Sequence, residues 1–234
     1  MAISEYIITT RPRIKFEPVE TLCINVKNVP LTAIIKEGKN ENIANDIIKN
    51  KPSVVVLTSS IGAVEFFKHY YEYTENPDII AIGEQTAGEV KKYTGNVSVP
   101  TAKNSYGVIS LLEKYGNSRI ALFRSNESNN IINDWLESHN SNFKEYYIYK
   151  VVKLENTHIK ELFFNPECKG ILLTSSMEAR IFYEEIGGIM VNKCIYAIGA
   201  VTAETLKNYG YKSCFTGNSN FESIIKYIDN KNCK

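Results

Sequence analysis

The sequence predicts an α/β protein of two similar parallel-sheet, flavodoxin-like domains, joined by a two-strand linker, with a cleft between them. The first observation behind this prediction is a repeat: VVVLTSSIGAVEFF begins at Val54 and GILLTSSMEARIFY begins at Gly170. The second is a constant offset, because Thr174 follows Thr58 by the same interval (174 − 58 = 116) that separates the other matching residues. A shared offset without insertions indicates a duplicated unit.

Each repeat reads as strand, helix, strand, helix. The short apolar runs Val54–Leu57 and Ile171–Leu173 are typical of strands buried on both faces of a parallel sheet. Each run ends in Thr-Ser-Ser, which favours the start of a helix. A second strand near Ile79–Ile82, matched by Ile195–Ile198, ends in glycine and opens another helix. Polar residues therefore collect past the carboxyl ends of the strands, where open parallel sheets bind ligands.

The rest of the chain supplies further elements around the repeats. We expect strands at Glu5–Thr10, Leu22–Val29, Val97–Val99, Arg119–Phe123, Tyr146–Val152 and Lys212–Phe215, and helices at Asn40–Asn50, Ser105–Tyr115, Ile131–Ser138, His158–Phe164 and Phe221–Ile228. The stretch 13–21 lacks helical periodicity and contains a proline, and Leu31–Gly38 is expected to be a linker.

The second repeat has no strand after it like the one that follows the first, because the chain stops. Ile8–Pro12 resembles that missing strand, so the N-terminal strands are expected to join the C-terminal half. This predicts a discontinuous domain of 1–33 plus 154–234 and an inserted domain of 38–148. The chain would cross between them near 31–38 and 149–153.

Composition excludes several classes of protein. A net charge of +1 argues against nucleic-acid and membrane-surface partners, and no apolar run approaches the ~18–20 residues of a membrane span. The five cysteines lack C-x-x-C spacing, which predicts reduced thiols in a cytoplasmic protein. The three histidines lack metal-ligand spacing, so no metal is expected. Without a G-x-G-x-x-G, Walker or G-x-S-x-G motif, neither a nucleotide cofactor nor a serine hydrolase is expected.

The ordered set of motifs resembles the uroporphyrinogen-III synthase family. The set comprises the N-terminal TRP, the paired TSS and AIGxxTA motifs, the later ALFR, and YIYKVV before the second repeat. The resemblance covers nearly the whole chain. It implies a cofactor-independent enzyme that closes linear hydroxymethylbilane into uroporphyrinogen III with inversion of ring D, and we expect it to act as a monomer. The sequence departs from the family in the stretch after TRP, in Ser60 and Ser176 where proline is common, and in Lys150 where the family has arginine.

Strand-end position and the resemblance together give the candidate site residues. The catalytic candidates are Tyr149, Thr86 and Thr202, and the substrate-binding candidates are Arg11, Ser59, Ser60, Arg124, Ser125, Asn126, Lys150, Ser175 and Ser176. Tyr149 would hydrogen-bond or protonate the leaving hydroxyl of the substrate. The helix N-termini and the cations would bind its carboxylates.

Each candidate also has a structural interpretation. The serines could simply cap helices, the two threonines could fill first-turn positions, the arginines could be surface charges, and Tyr149 could be one more strand aromatic. A different class of function also stays open: a non-catalytic, two-lobed tetrapyrrole or small-molecule binding protein. Turnover of hydroxymethylbilane would separate the two, since binding alone cannot invert ring D.

Overall fold

The computed structural model describes residues 3–139, 142–155, 157–187 and 193–233. The chain divides into two compact units, the first made of Met1–Ile34 and Val152–Lys234 and the second of Ile35–Val151. The strands are β1 Tyr6–Thr9, β2 Asn25–Asn28, β3 Thr32–Lys36, β4 Val54–Leu57, β5 Asp78–Ala81, β6 Val97–Ser98, β7 Ile120–Ser125, β8 Phe143–Lys153, β9 Cys168–Leu173, β10 Cys194–Ala197 and β11 Phe215–Thr216. The helices are α1 Glu41–Asn50, α2 Ser60–His69, α3 Glu84–Val90, α4 Ser105–Leu112, α5 Ile131–His139, α6 Ile159–Phe164, α7 Ser176–Ile186, α8 Ala200–Asn208 and α9 Phe221–Asn232.

The two sheets share the order of five strands, and β3 is a sixth strand in one of them. One has the order β11-β10-β9-β1-β2 and the other β3-β8-β7-β4-β5-β6. Strands β4 to β8 pair in parallel with one another, as do β1, β2 and β9 to β11. The predicted class, two similar α/β domains with parallel sheets, is confirmed. The shared order appears when β4 to β8 are numbered 1 to 5, and when β9, β10, β11, β1 and β2 are numbered 1 to 5. Each sheet then has the strand order 3-2-1-4-5, whereas flavodoxin itself has 2-1-3-4-5.

The duplication is visible in the pairing register. Val54 lies opposite Asp78 in the second unit, and Gly170 opposite Cys194 in the first, so the same offset relates both pairs. Aromatic stacking repeats in the same way. Phe67 stacks on Tyr93 with ring centroids 4.5 Å apart, and their counterparts Tyr183 and Tyr209 stack at 4.6 Å. These pairs connect α2 with the end of α3, and α7 with the end of α8.

Helices cover both faces of each sheet, which explains the continuous apolar runs. All four residues of β4 are buried, as are the last four of β9. In the first unit one face of the sheet packs mainly against α6, α7 and α8, and the other packs against α9. In the second unit α4 and α5 pack against one face through Val108, Leu112, Ile132 and Leu136.

Several boundaries differ from the sequence predictions. The expected linker Leu31–Gly38 contains strand β3, which lies beside β8. Strand β8 is eleven residues long and begins before the predicted Tyr146. The 13–21 stretch holds a short 3-10 turn at Arg13–Lys15, and the strand predicted at Lys212–Phe215 begins only at Phe215.

The prediction that all five cysteines are reduced is wrong. Cys23 and Cys233 form a disulfide, while Cys168, Cys194 and Cys214 are free. Helix α9 continues past the predicted end at Ile228 to Asn232, and this extension brings Cys233 to the N-terminal segment. The Asp229 carboxylate fixes that segment by accepting backbone N–H bonds from Leu22, Cys23 and Ile24 at 2.9–3.2 Å. No helix in the described ranges is long and apolar enough to cross a membrane.

Candidate functional site

Tyr149 lies at the carboxyl edge of the sheet in the second unit. Its phenol oxygen is 2.8 Å from Ser59 Oγ, and either oxygen can donate the hydrogen bond. Ser59 is the N-cap of α2 and accepts the Gly62 backbone N–H at 2.9 Å. The phenol is therefore coupled, through one hydroxyl, to the N-terminus of a ten-residue helix. Tyr149 is only 4% exposed.

Gly62 makes room for this phenol. A Cβ atom at position 62 would lie 3.0 Å from Ser59 Oγ and 3.6 Å from Cε1 of Tyr149. The first distance is too short for an unstrained contact, so any side chain here would press on the Ser59–Tyr149 pair. Gly62 carries no signal of this role in the sequence, because its importance depends on a strand more than eighty positions away along the chain.

A local irregularity between β7 and β8 sets the position of Tyr149. The pairing register shifts after Arg124, so that Ser125 lies opposite Tyr149. Asn126 then holds β8 with its side-chain amide, which accepts from the Val151 N–H at 2.8 Å and donates to the Val151 carbonyl at 3.2 Å. Asn126 was predicted to bind substrate. In the structure its side-chain amide bonds to the backbone of β8, the strand that carries Tyr149.

The two predicted cations of this edge also have partners within the unit. Arg124 is 2% exposed, and its guanidinium donates to Asn133 Oδ1 and to the Asn129 carbonyl and pairs with Glu145 at 3.2 Å. Burial lowers its pKa, with the negative charge of Glu145 opposing that effect. Lys150 is half exposed and pairs with Glu37 at 2.6 Å. Arg124 thus fixes the loop that precedes α5, while Lys150 sits at the surface.

The corresponding edge of the first unit is organised by a buried carboxyl group. Ser175 caps α7 by accepting the Glu178 backbone N–H at 3.2 Å. The Glu178 carboxyl accepts from the Thr174 backbone and hydroxyl, both at 2.8 Å, and from the hydroxyls of Thr10 at 2.5 Å and Thr32 at 3.4 Å. Glu178 thereby connects the ends of β1 and β9 with the start of β3. Burial raises its pKa above the ordinary value, against the effect of these donors.

Glu178 stands at the position in the second repeat that Gly62 occupies in the first (178 − 62 = 116). Glu178 was not among the predicted site residues, although Ser175 and Glu178 have the S-x-x-E spacing of a capping box. The space filled by a carboxyl group in one unit is left open for the Tyr149 phenol in the other.

Arg11 extends just past the end of β1 at the same edge. Its guanidinium carbon lies 4.6 Å above the Phe221 ring centre, a cation–π contact. Burial lowers its pKa, while the charges of Glu178 and Glu17 act in the opposite direction. Unlike Arg124, Arg11 forms no ion pair within the described part of the chain.

The remaining candidates lie at helix starts. Ser60 and Ser176 are the first residues of α2 and α7 and are half-buried. Thr86 and Thr202 are the third residues of α3 and α8, and each is 4% exposed. Glycine caps both of these helices without a side-chain hydrogen bond, so their first N–H groups lack the bond that Ser59 and Ser175 supply to α2 and α7.

This arrangement can exchange a proton at Tyr149. If Ser59 donates to the phenol oxygen, the phenol proton is free to move to an acceptor. The phenolate that forms would accept the Ser59 hydroxyl and lie near the positive end of the α2 dipole.

Among the described residues, a single group has the spacing of metal ligands: Cys23, Asp229 and Cys233, with candidate ligand atoms within 4.8 Å of one another. The two sulfurs are bonded to each other, and both Asp229 oxygens accept backbone N–H groups. These atoms are therefore already engaged by the protein.

Comparison with known proteins places this chain in a family. Residues 17–226 match the family described as uroporphyrinogen-III synthase HemD. A protein of Methanocaldococcus jannaschii, provisionally named uroporphyrinogen-III synthase, is 26% identical over 192 residues, which is 74% of this chain and 77% of that protein.

Solved structures share the fold at low sequence identity. A mutant uroporphyrinogen III synthase of the extremely thermophilic bacterium Thermus thermophilus superposes with a TM-score of 0.68 at 12% identity, covering 97% of this chain and 98% of that one. The uroporphyrinogen-III synthetase of Helicobacter pylori has a TM-score of 0.66 at 17% identity, covering 96% and 98%.

Proposed function

The chain belongs to the uroporphyrinogen-III synthase family, and from this premise we propose that it converts hydroxymethylbilane into uroporphyrinogen III. The reaction eliminates water: the terminal hydroxyl leaves with a proton, and a carbon of ring D later loses one. Two carbon–carbon bonds form at ring D and one breaks, so the macrocycle closes with ring D inverted. The enzyme is accordingly a cyclising hydro-lyase. No redox change occurs, so the balanced reaction requires no oxidant or reductant.

The observation that carries the proposal is the hydrogen bond between Tyr149 and Ser59 at the start of α2. Loss of the hydroxyl needs a proton donor, and the phenol is the one candidate catalytic group here that can supply one. A phenol is a weak acid, and Ser59 at the start of α2 can donate a hydrogen bond to the phenolate oxygen as it forms. Tyr149 then regains its proton from the carbon that loses one after ring closure.

The substrate carboxylates would bind to cationic, hydroxyl and backbone N–H groups at strand ends. Arg11 is the preferred cation, because Arg124 already has internal partners. In this proposal Ser60, Ser176, Thr86 and Thr202 contribute hydroxyls, and the uncapped starts of α3 and α8 contribute N–H groups. Many weak local donors can bind a polycarboxylate even though the net charge is only +1. Positioning the linear substrate so that ring D inverts is the larger requirement.

A monomer acting in the cytoplasm completes the proposal. The cytoplasm is a reducing compartment. Reduction of the Cys23–Cys233 disulfide there would break the covalent link between the end of α9 and the N-terminal segment. Sedimentation at micromolar concentration tests the oligomeric state, and thiol trapping in cell extracts tests the redox state of the pair.

The isomer ratio of the product tests the activity. Hydroxymethylbilane closes spontaneously in water without inversion and gives the type I isomer. The purified chain, with no metal or cofactor added, should give predominantly type III. A product that remains type I at every protein concentration would refute the synthase assignment and leave a binding protein.

Tyr149→Phe tests the role of the phenol. It keeps the packing of the ring and removes only the hydroxyl, so turnover should fall roughly 10–10⁴-fold while the folded state persists. Thr86→Val and Thr202→Val should cost less, because backbone donors remain. Unchanged turnover in Tyr149→Phe would mean that another group protonates the leaving hydroxyl.

A further inference from the structure

We propose that Lys15 joins Arg11 in a two-cation subsite that binds one carboxylate group of the ligand at the strand-end edge of the first unit. The identity of the ligand, a polycarboxylate tetrapyrrole, rests on the proposed function. The subsite itself rests on the geometry of the segment between β1 and β2, where this sequence departs from the family pattern.

The backbone brings the two cations to the same edge. Strand β1 ends at Thr9, and Arg11 follows two residues later. The chain then makes the 3-10 turn Arg13–Lys15, closed by hydrogen bonds from Lys15 N to the Pro12 carbonyl at 2.8 Å and from Phe16 N to the Arg13 carbonyl at 3.2 Å. Lys15 therefore lies one tight turn after Arg11, near the end of β1.

Phe221 fixes both ends of this segment. The Arg11 guanidinium lies over the face of its ring, and the Phe16 ring meets it edge-on with centroids 6.1 Å apart. Phe221 is the first residue of α9 and is 8% exposed. Because one buried ring holds residues on both sides of the turn, Arg11 and Lys15 are presented by a packed element.

The charges of the two cations are left uncompensated. Within the described ranges neither Arg11 nor Lys15 forms an ion pair, and both are half-buried. Burial lowers the pKa of Lys15, and repulsion from Arg11 acts in the same direction. The Glu178 carboxyl group does not compensate them, because its oxygens accept from threonine hydroxyls and a backbone N–H and burial raises its pKa.

A carboxylate group of the ligand complements the charge of these two cations. It would relieve the repulsion between the two cations and supply acceptors for the planar fork of Arg11 and for the Lys15 ammonium. A neutral or cationic group would do neither. The subsite therefore requires an anionic group, and under the proposed function that group is a carboxylate of the substrate.

Competitive acetylation of the intact, unmodified protein tests the subsite directly. Uroporphyrin, a stable polycarboxylate tetrapyrrole, is the probe, and mass spectrometry measures the acetylation rate of each lysine. With the probe at ten times its Kd, Lys15 should react about tenfold more slowly. Lys207 is the control, because it is exposed and lies about 10 Å along α8 from the strand-end edge. Equal rates for Lys15 with and without bound probe would overturn the proposal.

A pair of matched variants gives a second test. Lys15→Gln should weaken uroporphyrin binding about tenfold and reduce its salt dependence. Arg13→Gln removes the same charge from an exposed position of the same turn and should leave binding nearly unchanged. Equal losses in the two variants would reduce Lys15 to a contributor to net charge and refute the subsite.

The two proposals can fail separately. If the chain forms type III product but neither acetylation nor affinity depends on Lys15, the subsite is wrong and the synthase assignment stands. If only type I product forms, yet uroporphyrin protects Lys15 and Lys15→Gln weakens binding, the synthase assignment is wrong and the subsite stands.

Discussion

Replacing Glu178 with glutamine should stabilise the first unit at neutral pH, by an amount that increases with pH. The carboxyl group is 1% exposed and has no cationic partner within the described ranges, and burial raises its pKa above the ordinary 4.5. In the unfolded chain the same group ionises near that ordinary value. Between the two pKa values the folded state holds a proton that the unfolded state has lost, so stability falls as the pH rises.

The size of the effect follows from proton linkage. At pH values below the pKa of Glu178 in the unfolded chain, the group is protonated in both states. Its ionisation then contributes nothing to the free energy of unfolding. Above that pKa, the free energy of unfolding of the wild type should fall by up to about 1.4 kcal/mol per pH unit, until the pH reaches the raised pKa of the folded state. Glutamine does not titrate. Its carbonyl oxygen can accept from Thr174 and Thr10, and its amide can donate to Thr32 Oγ1.

Urea unfolding at several pH values between about 4.5 and 7.5 measures this difference. Far-UV circular dichroism follows the whole chain. The single tryptophan, Trp135, lies on α5 in the second unit, so its fluorescence reports that unit separately. The advantage of Glu178→Gln over the wild type should grow with pH in the dichroism signal.

Glu178→Leu is the matched control. It also removes the titration but leaves the Thr174 N–H without an acceptor, which should cost about 1–3 kcal/mol. The difference between the leucine and glutamine variants should therefore stay constant with pH. If the glutamine variant and the wild type instead differ by a constant amount across the range, Glu178 is ionised in the folded protein and the reasoning fails.

Two further changes test the second unit and the chain ends. Gly62→Ala should reduce turnover about tenfold, because the added methyl group presses on Ser59 and Tyr149. The better helix propensity of alanine should raise stability by up to about 1 kcal/mol. Steady-state kcat and thermal unfolding measure the two effects, and an unaltered kcat would contradict the predicted contact. Cys23→Ser should lower the free energy of unfolding by about 2–5 kcal/mol, because the Cys23–Cys233 bond spans 210 positions. Wild-type protein treated with a reductant should match that variant in urea, and equal stability with and without reductant would show that the bond does not stabilise the fold.

The parallel α/β class could be predicted because its signal is local and occurs twice. A buried strand followed by Thr-Ser-Ser specifies a strand and the helix start after it, and the constant offset repeats that information. Strand β3 carried no comparable signal, since its existence depends on β8 beside it. The disulfide could not be predicted either, because nothing near Cys23 in the sequence indicates that α9 ends next to it.

The candidate site shows the same division. Ser59 and Ser175 could be predicted as caps from their own neighbours, and both cap their helices. The engagement of Arg124 by Asn133 and Glu145 could not, because those contacts depend on how a loop and a neighbouring strand fold back onto β7. The sequence around a strand-end arginine does not distinguish one that is paired within the protein from one that is available to a ligand.

The duplication explains why the two units can take different roles in the proposed reaction. Both begin their first repeat helix with a serine cap, so both start from the same set of strand-end donors. They differ three residues later, at Gly62 and Glu178. Glycine leaves a space in which the Tyr149 phenol reaches the cap hydroxyl and can exchange a proton. Glutamate fills that space and connects three strand ends, which leaves Arg11 at a fixed edge without an acidic partner among the described residues. The difference at this one position therefore accompanies different contacts at the two edges: a phenol–serine hydrogen bond in the second unit and a buried carboxyl group bonded to threonines in the first.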